Sequence, residues 1–150
     1  MKSRALITGA STGIGYAYAK HLSKEGWILD LISENAERSM KSKDALNNPV
    51  ANFYLADLSK KSSIKEIISN YETPDLIVAN AGIAINGSIG KLSESQKEDA
   101  YYLMCGGIID LIEGFAPKMI KKGTGRIVII SSIGAITAMP KSSIYSSAKA

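Results

Sequence analysis

Five short apolar runs alternate with longer amphipathic stretches along this chain of 150 residues. The runs are rich in β-branched residues and cover residues 4–8, 27–32, 51–55, 76–79 and 126–131. Strands that alternate with helices pair in parallel, because each helix carries the chain back across the sheet. The pattern therefore predicts one α/β domain, with a doubly wound parallel sheet and helices on both faces.

The stretches between the runs have helical periodicity. We predict helices over residues 14–25, 36–46, 62–71, 94–121 and 142–150, a breaker cluster at Asn47-Asn48-Pro49, and a loop over residues 83–92. Ser93 and Gln96 have the spacing of a capping box at the start of the long helix. Three glycines inside that helix each cost about 1 kcal/mol relative to alanine and so indicate close packing or a local kink: Gly106, Gly107 and Gly114.

Composition narrows the possible functions. Hydrophobic residues make up 45% of the chain and charged ones 21%, which is typical of a globular protein, and no apolar run approaches the roughly 18 residues of a membrane span. The net charge of +4 is spread along the chain, so we expect neither a nucleic-acid nor a membrane partner.

His21 is the single histidine, so we expect no metal site, and Cys105 fits a buried thiol. The first strand leaves little room for a leader, so we expect a cytoplasmic protein.

A glycine-rich turn, Thr8-Gly9-Ala10-Ser11-Thr12-Gly13-Ile14-Gly15, joins the first strand to the first helix. Glycines allow the backbone to turn tightly and to approach a ligand, and the helix start offers unpaired N–H groups and a positive dipole end. The turn is therefore predicted to bind a nucleotide diphosphate. Its spacing differs from the commonest dinucleotide fingerprint, which leaves a plain structural turn as the alternative.

Tyr145 and Lys149 lie four residues apart on the last predicted helix, so their side chains share one face. A neighbouring ammonium favours the phenolate and lowers the pKa of a tyrosine, which suits it to proton transfer near neutral pH. Such pairs also arise by chance on exposed helix faces. Ser132 precedes Tyr145 by thirteen residues and follows the fifth strand, at the carboxyl edge where parallel sheets bind ligands.

Taken together, these motifs resemble the short-chain dehydrogenase/reductase family. The matching pieces span nearly the whole chain: Thr8-Gly9-x-x-x-Gly13-Ile14-Gly15, Asp57-Leu58, Asn80-Ala81-Gly82, Pro117-x-Met119, Gly125-Arg126-Ile127-Val128, Ser132 and Tyr145-x-x-x-Lys149. The resemblance implies a Rossmann-like sheet in three layers, an extended nicotinamide cofactor, and hydride transfer between NAD(P)(H) and a small carbonyl or alcohol substrate.

The resemblance also implies a role for each matching residue. Tyr145 would be the acid/base, Lys149 would hold the nicotinamide ribose and lower the tyrosine pKa, and Ser132 would hydrogen-bond the substrate oxygen. The remaining cofactor contacts would come from Thr8, Gly9, Ser11, Thr12, Gly13, Ile14, Gly15, Asp57, Leu58, Asn80, Ala81 and Gly82. A turn or helix cap is the alternative role for Asp57.

The segment after the second strand bears on the choice between NAD and NADP. Glu34 lies nineteen residues past Gly15, where an acid accepts hydrogen bonds from a free ribose 2′-hydroxyl and repels a phosphate. Arg38 and Lys41 could instead reach a 2′-phosphate. Because no arginine stands directly after the strand, the sequence favours NAD and leaves NADP open.

Three departures from the family pattern carry consequences. Ala79 replaces the first asparagine of an Asn-Asn-Ala-Gly motif, Met104 replaces an asparagine of the long helix and cannot replace its hydrogen bonds, and the sequence stops at Ala150. We therefore expect an N-terminal fragment of a longer domain, whose members associate through the long helix and the tyrosine-bearing helix as dimers or tetramers. The alternative is a catalytically silent nucleotide-binding protein with a regulatory or assembly role.

Overall fold

The structure is a computed structural model that describes residues 2–46, 51–137 and 139–150. Within those residues the strands form one parallel sheet in the order β3-β2-β1-β4-β5. The strands are β1 (Arg4–Thr8), β2 (Ile28–Ser33), β3 (Ala51–Leu55), β4 (Leu76–Ala79) and β5 (Arg126–Ile129). The order reverses between β1 and β4, as in Rossmann-like folds, which confirms the predicted fold class.

The helices are α1 (Gly13–Lys24), α2 (Ala36–Leu46), α3 (Lys61–Asn70), α4 (Glu94–Tyr101), α5 (Gly107–Lys122) and α6 (Ser143–Lys149). Each helix begins and ends within two residues of its predicted bounds, except that the predicted long helix is divided into α4 and α5. The capping box at the start of α4 is confirmed, with Ser93 and Gln96 bonding each other's backbone N–H groups. The breaker cluster predicted at residues 47–49 lies outside the described residues.

Successive residues of each strand point to opposite faces of the sheet, and both faces are buried. On one face Ile7, Leu31 and Val78 pack with residues of α1 and α2, and on the other Leu6 and Ile77 pack with residues of α3 and α5. Both clusters consist largely of side chains with no exposed surface. Burial on two faces explains why these strands are apolar at successive positions, and it gives the three-layer arrangement that the sequence predicts.

A π-helical turn, Tyr102–Gly106, connects α4 to α5. A Cβ at Gly106 would lie 2.9 Å from Cδ2 of Tyr102, so the glycine makes room for the tyrosine ring. The hydroxyl of Tyr102 then donates to Asp110 at 2.8 Å. Burial and this carboxylate raise the pKa of Tyr102 to about 12. Gly114 has the same function elsewhere, since a Cβ there would overlap the side chain of Ile68, so the mid-helix glycines mark close packing and a local distortion.

Asp75 ties the amino ends of the strands to the end of α5. Its carboxylate accepts from the backbone N–H of Arg4 at 2.9 Å and from the ammonium of Lys122. Burial tends to raise the pKa of Asp75, but the hydrogen bonds outweigh it, led by that from Lys122, and leave the pKa below its ordinary value of 3.8. The amino end of β1 is thereby tied to the end of α5.

β5 forms one edge of the sheet, and its outer surface is apolar. Ile127 is 38% exposed and Ile129 is 53% exposed on this last strand of the sheet. Ile120, near the end of α5, is 79% exposed beside them. Exposed apolar strand edges are surfaces that other chain segments tend to cover.

Candidate active site

A cleft of about 300 Å³ opens at the carboxyl edge of the sheet, beside the point where the strand order reverses and where such sheets bind ligands. Ten of the predicted site residues line it: Gly9, Ser11, Thr12, Gly13, Ile14, Glu34, Leu58, Asn80, Ala81 and Gly82. Six further residues line the cleft, and of these the sequence had pointed only to Arg38, as a contact for a 2′-phosphate: Ser33, Asn35, Arg38, Ala56, Ile83 and Leu103. Four of these end a strand or lie in the loop after one, namely Ser33, Asn35, Ala56 and Ile83, and that position was the signal available in the sequence.

Thr8 and Asn80 join the ends of β1 and β4 at the centre of this edge. The hydroxyl of Thr8 accepts from the backbone N–H groups of Asn80 and Ala81 at 2.9 and 3.0 Å. The side-chain amide of Asn80 donates to the backbone carbonyls of Thr8 and Gly9, both at 3.1 Å. The two residues therefore build the floor on which the glycine turn rests.

The glycine turn needs glycine for two different reasons. Gly9 and Gly13 have φ of 63° and 57°, in the left-handed region that favours glycine. Gly15 is helical, but a Cβ there would lie 2.4 Å from the carbonyl oxygen of Gly9 and 2.6 Å from the amide nitrogen of Asn80. The first turn of α1 thus packs directly on the backbone of the turn.

The amino end of α1 faces the cleft with its donors uncapped. Thr12 occupies the cap position but makes no side-chain cap hydrogen bond, and the first turn of the helix contains no acidic residue. Free N–H groups and the positive end of the helix dipole favour an anion at such a position. The arrangement therefore fits a phosphate or diphosphate group.

The other end of the cleft is bounded by the end of β2 and the start of α2. The hydroxyl of Ser33 donates to that of Ser11 at 2.9 Å, which fixes the glycine turn against β2. Glu34 and Arg38 both line the cleft and are exposed. A carboxylate and a guanidinium therefore lie at the same end of the cleft, and they favour opposite ligands.

Asp57 is placed differently from the other predicted cofactor residues. Its carboxylate accepts from the backbone N–H and the hydroxyl of Ser59 at 2.9 and 2.7 Å. The hydrogen bond from the Ser59 hydroxyl is the main reason that the pKa of Asp57 is lowered. Its neighbours Ala56 and Leu58 line the cleft, so the side chain of Asp57 performs the turn role that the sequence left as an alternative, and its contact with adenine stays a prediction.

Ser132 and Tyr145 converge on Gly134, in the short 3₁₀ turn Ile133–Ala135 that follows β5. A Cβ at Gly134 would lie 3.3 Å from Cε1 of Tyr145 and 3.5 Å from Oγ of Ser132. The Ser132 hydroxyl accepts from the backbone N–H of Gly134 at 3.1 Å, which leaves its own hydrogen available to donate. The two hydroxyl-bearing side chains thus lie near the same point, and no hydrogen bond joins them.

Lys149 reaches the same region from the end of α6 and is only 9% exposed. Its ammonium donates to the backbone carbonyl of Ile130 at 2.8 Å, while its own carbonyl accepts from the hydroxyl of Ser131 at 2.7 Å. Burial lowers the pKa of the Lys149 ammonium below its ordinary value of 10.5. A Cβ at Gly82, on the cleft wall, would lie 3.4 Å from Nζ of Lys149, so this glycine separates the lysine from the cleft.

The loop between β4 and α4 is fixed to the segment before α6. The hydroxyl of Ser142 donates to the side-chain oxygen of Asn86 at 2.8 Å, although Ser142 stands at the cap position of α6. The backbone N–H of Gly87 donates to the carbonyl of Lys141 at 2.8 Å, and Lys141 has a φ of 62°. This wall of the site depends on contacts between distant parts of the chain, which no local sequence signal reveals.

Two negative findings apply to the described residues. None of their helices is long and apolar enough to cross a membrane. They also contain no group of three histidine, cysteine, aspartate or glutamate side chains that could hold a metal ion.

The sequence model of the short chain dehydrogenase family matches residues 3–150. The chain belongs to this family. It is 29% identical over 150 residues to an uncharacterized oxidoreductase of Staphylococcus epidermidis, with 97% of this chain and 65% of the relative covered. It is also 29% identical over 153 residues to the 3-oxoacyl-[acyl-carrier-protein] reductase of Chlamydia trachomatis, with coverage of 97% and 62%.

The fold agrees with solved structures of the family. A short-chain dehydrogenase from Sphingobium yanoikuyae in complex with NADPH superposes with a TM-score of 0.89 at 27% identity, covering 98% of this chain and 60% of that one. The chain therefore spans less than two thirds of the length of these three proteins. Membership establishes an oxidoreductase family with cofactors of the nicotinamide type.

Proposed function

We propose that the chain contains the cofactor site and the catalytic side chains of an NAD(P)(H)-dependent reductase or dehydrogenase acting on a carbonyl/alcohol pair. The observation that carries the proposal is that Ser132 and Tyr145 both lie beside Gly134, within 3.5 Å of the position that a Cβ would take there. Lys149 is buried on the same helix as Tyr145, one turn further on. Since the chain spans only part of its relatives' length, this activity is proposed for the full-length protein.

The cleft fits a dinucleotide in its shape and in its donors. Gly9 and Gly15 leave no room for a Cβ because the turn packs on Asn80 and Ala81 and α1 packs on the turn. This packing holds the uncapped start of α1 at the cleft, where its N–H groups are offered to a diphosphate. Ala81 and Gly82 form a wall with little side-chain bulk along the path towards Lys149. When bound, a reduced nicotinamide supplies the hydride that reduces a carbonyl.

The side chains of this chain would manage the resulting charge and proton. As the carbonyl carbon is reduced, negative charge develops on its oxygen, and the Ser132 hydroxyl donates a hydrogen bond to it. The Tyr145 hydroxyl transfers its proton to the same oxygen and becomes a phenolate. The Lys149 ammonium stabilises that phenolate by its positive charge, and in alcohol oxidation the same steps run in reverse.

Turnover by defined variants tests the proposal. The absorbance of NADH or NADPH is followed with a panel of ketones and alcohols, using the protein as encoded and its Tyr145→Phe and Tyr71→Phe variants. Tyr71 packs edge-on against Tyr54 and is not among the residues that line the cleft, so its variant controls for the loss of a phenol. We expect Tyr145→Phe to lose turnover by a factor of about 10²–10⁴, the usual contribution of acid–base catalysis, and to keep nucleotide binding. Equal turnover in both variants would refute the assignment of Tyr145.

For the cofactor we propose NAD, with Glu34 hydrogen-bonding the ribose hydroxyls. The support is the position of Glu34 on the cleft wall. Arg38 lines the same end and supports NADP as the second candidate. The complex of the Sphingobium yanoikuyae relative contains NADPH.

Paired substitutions separate the two cofactors. At an exposed site two charges about 4 Å apart interact by about 1 kcal/mol, or about fivefold in affinity. Glu34→Gln should therefore improve the ratio of NADP to NAD affinity about fivefold, and Arg38→Ala should lower it by a similar factor. Isothermal titration with both nucleotides measures the ratio of NADP to NAD affinity. A ratio that neither variant changes would exclude both side chains as determinants of cofactor preference.

The second candidate is a catalytically silent nucleotide-binding protein, and Met104 is the observation in its favour. Its apolar side chain is 2% exposed and packs in the cluster beside Tyr145, where family resemblance implies an asparagine. Tight nucleotide binding without turnover on any substrate of the panel would favour this candidate over the enzyme.

A further inference from the structure

The ammonium of Lys149 lies in a narrow slot whose walls are mostly apolar. A Cβ built on Gly82 would lie 3.4 Å from Nζ of Lys149, 3.5 Å from its Cε and 3.6 Å from Cγ of Met104. Met104 and Lys149 therefore flank the same small space, about one methyl group wide. Ile130 provides the acceptor at the base of the slot through its backbone carbonyl.

Met104 is held in this position by the π-helical turn. The turn packs against α6, and the 2% exposed Met104 forms a buried cluster with Ala100 and Ala148. Tyr145 packs against the same cluster. A π-turn inside a helix is often found at functional sites, and here it places an apolar side chain against the helix that carries Tyr145 and Lys149.

The slot gives the lysine few polar partners. An ammonium has three N–H donors, and one of them goes to Ile130. Among the described residues Lys149 makes no ion pair, and Tyr145 is the titratable neighbour on its own helix. Titratable groups on the facing elements have other surroundings. Tyr102 donates to Asp110, Asp99 pairs with Lys60, and Cys105 interacts with Tyr101. The remaining ones are exposed: Glu94, Lys97 and Glu98.

We propose that Met104 is a positioning residue that closes the slot and keeps water from the Lys149 ammonium. The two remaining N–H donors are then poorly solvated, and they bind a hydroxyl-bearing ligand or a phenolate more strongly than hydrated donors would. The same exclusion of water agrees with the direction in which burial moves the pKa of Lys149. The benefit to catalysis rests on the proposed function, whereas the dry slot is a property of the chain itself.

Two substitutions of similar size test the slot. Met104→Gln introduces an amide of nearly the same length, which accepts a hydrogen bond or admits water, and Met104→Leu keeps the wall apolar. The readout is the pH dependence of Lys149 acylation by acetic anhydride, resolved by mass spectrometry, in the folded protein without nucleotide. The midpoint of that curve reports the lysine pKa, while its plateau reports access.

We expect the midpoint to rise by about half a pH unit or more in Met104→Gln, which corresponds to a roughly threefold change in the proton equilibrium, and to stay in place in Met104→Leu. Equal midpoints in all three proteins, or equal shifts in the two variants, would overturn the proposal. If Met104→Gln does not fold, Gly82→Ala tests the opposite wall, because its methyl group would fill the slot and should lower the midpoint. An unchanged midpoint in a folded Gly82→Ala protein would overturn the proposal as well.

A second readout connects the slot to turnover. In protein that reduces a ketone, Met104→Gln should shift the pH profile of kcat with little change in the KM for nucleotide, and Met104→Leu should retain the original profile. Absence of turnover in every variant would refute the proposed function but leave the acylation result standing. A shifted acylation midpoint with an unshifted kcat profile would overturn the catalytic benefit.

Discussion

Replacing Gly15 by alanine should cost both stability and nucleotide binding, because the new Cβ would overlap backbone rather than a side chain. It would lie 2.4 Å from the carbonyl oxygen of Gly9, where ordinary contacts begin at 3.4 Å. Neither atom can move freely, since the side-chain amide of Asn80 bonds that carbonyl. Relief therefore requires a shift of α1 or of the turn by about 1 Å.

The magnitude follows from two opposing contributions. Overpacking of a tight site costs about 1–3 kcal/mol, and the fixed backbone places Gly15 at the upper end of that range. Alanine within a helix returns about 0.5–1 kcal/mol relative to glycine. The free energy of unfolding should fall by about 2 kcal/mol, which moves the urea midpoint by about 1 M at a typical slope. Nucleotide affinity should fall at least about tenfold, because the displaced Gly9 lines the cleft.

Gly13 provides the matched control, since a Cβ there meets nothing within 4 Å and only its φ of 57° requires glycine. Alanine at Gly13 should cost about 1–2 kcal/mol of conformational strain, and asparagine, which tolerates left-handed backbone, should recover most of it. At Gly15 asparagine should be worse than alanine, because its side chain is larger. Urea unfolding and nucleotide titration of Gly15→Ala, Gly15→Asn, Gly13→Ala and Gly13→Asn distinguish steric overlap from backbone strain. A Gly15→Ala protein with the stability and affinity of the parent would refute the steric argument.

Two further predictions concern the scaffold. Gly114→Ala should destabilise the fold by about 1–2 kcal/mol because its Cβ would lie 2.4 Å from Cδ1 of Ile68. Adding Ile68→Ala should remove most of this steric cost. Strictly additive unfolding energies in the double-mutant cycle would contradict the steric argument. Asp75→Asn should lower stability near neutral pH, because the folded pKa of Asp75 lies below 3.8. The stabilisation by Asp75 is present above its unfolded pKa and is lost as the pH falls through its folded pKa. The unfolding free energies of the parent and of Asp75→Asn should therefore converge in acid. A stability difference that persists in acid would show that the charge of Asp75 is not the source of the stabilisation.

The sheet and the glycine turn could be predicted from the sequence because both depend on local patterns. Apolar strand residues with helical stretches between them give a parallel sheet, and a parallel sheet brings Thr8, Glu34 and Asn80 to one edge. These residues lie there in the structure. The mid-helix glycines were likewise readable as points of close packing, although the division of the long helix by a π-turn at Tyr102 was not.

Other features depend on contacts that only the folded chain creates. Lys149 bonds the carbonyl of Ile130 across nineteen residues, and the hydroxyl of Ser142 bonds Asn86 rather than its own helix. Asp57 shows the reverse case, since its carboxylate is engaged by Ser59 two residues away. Sequence patterns identify the residue types at a site, whereas the competition among their hydrogen-bond partners is decided by tertiary structure.

The transfer of deuterium from a labelled cofactor to the product tests the central claim most directly. NADH or NADPH carrying deuterium on the reactive carbon of its nicotinamide is incubated with a reducible ketone and the protein as encoded, and the alcohol is analysed by mass spectrometry. We predict label on the alcohol carbon with the unaltered protein and its loss in Tyr145→Phe, with nucleotide binding retained in both. Nucleotide binding without any label in the alcohol, or equal labelling by Tyr145→Phe, would contradict the assignment of this site.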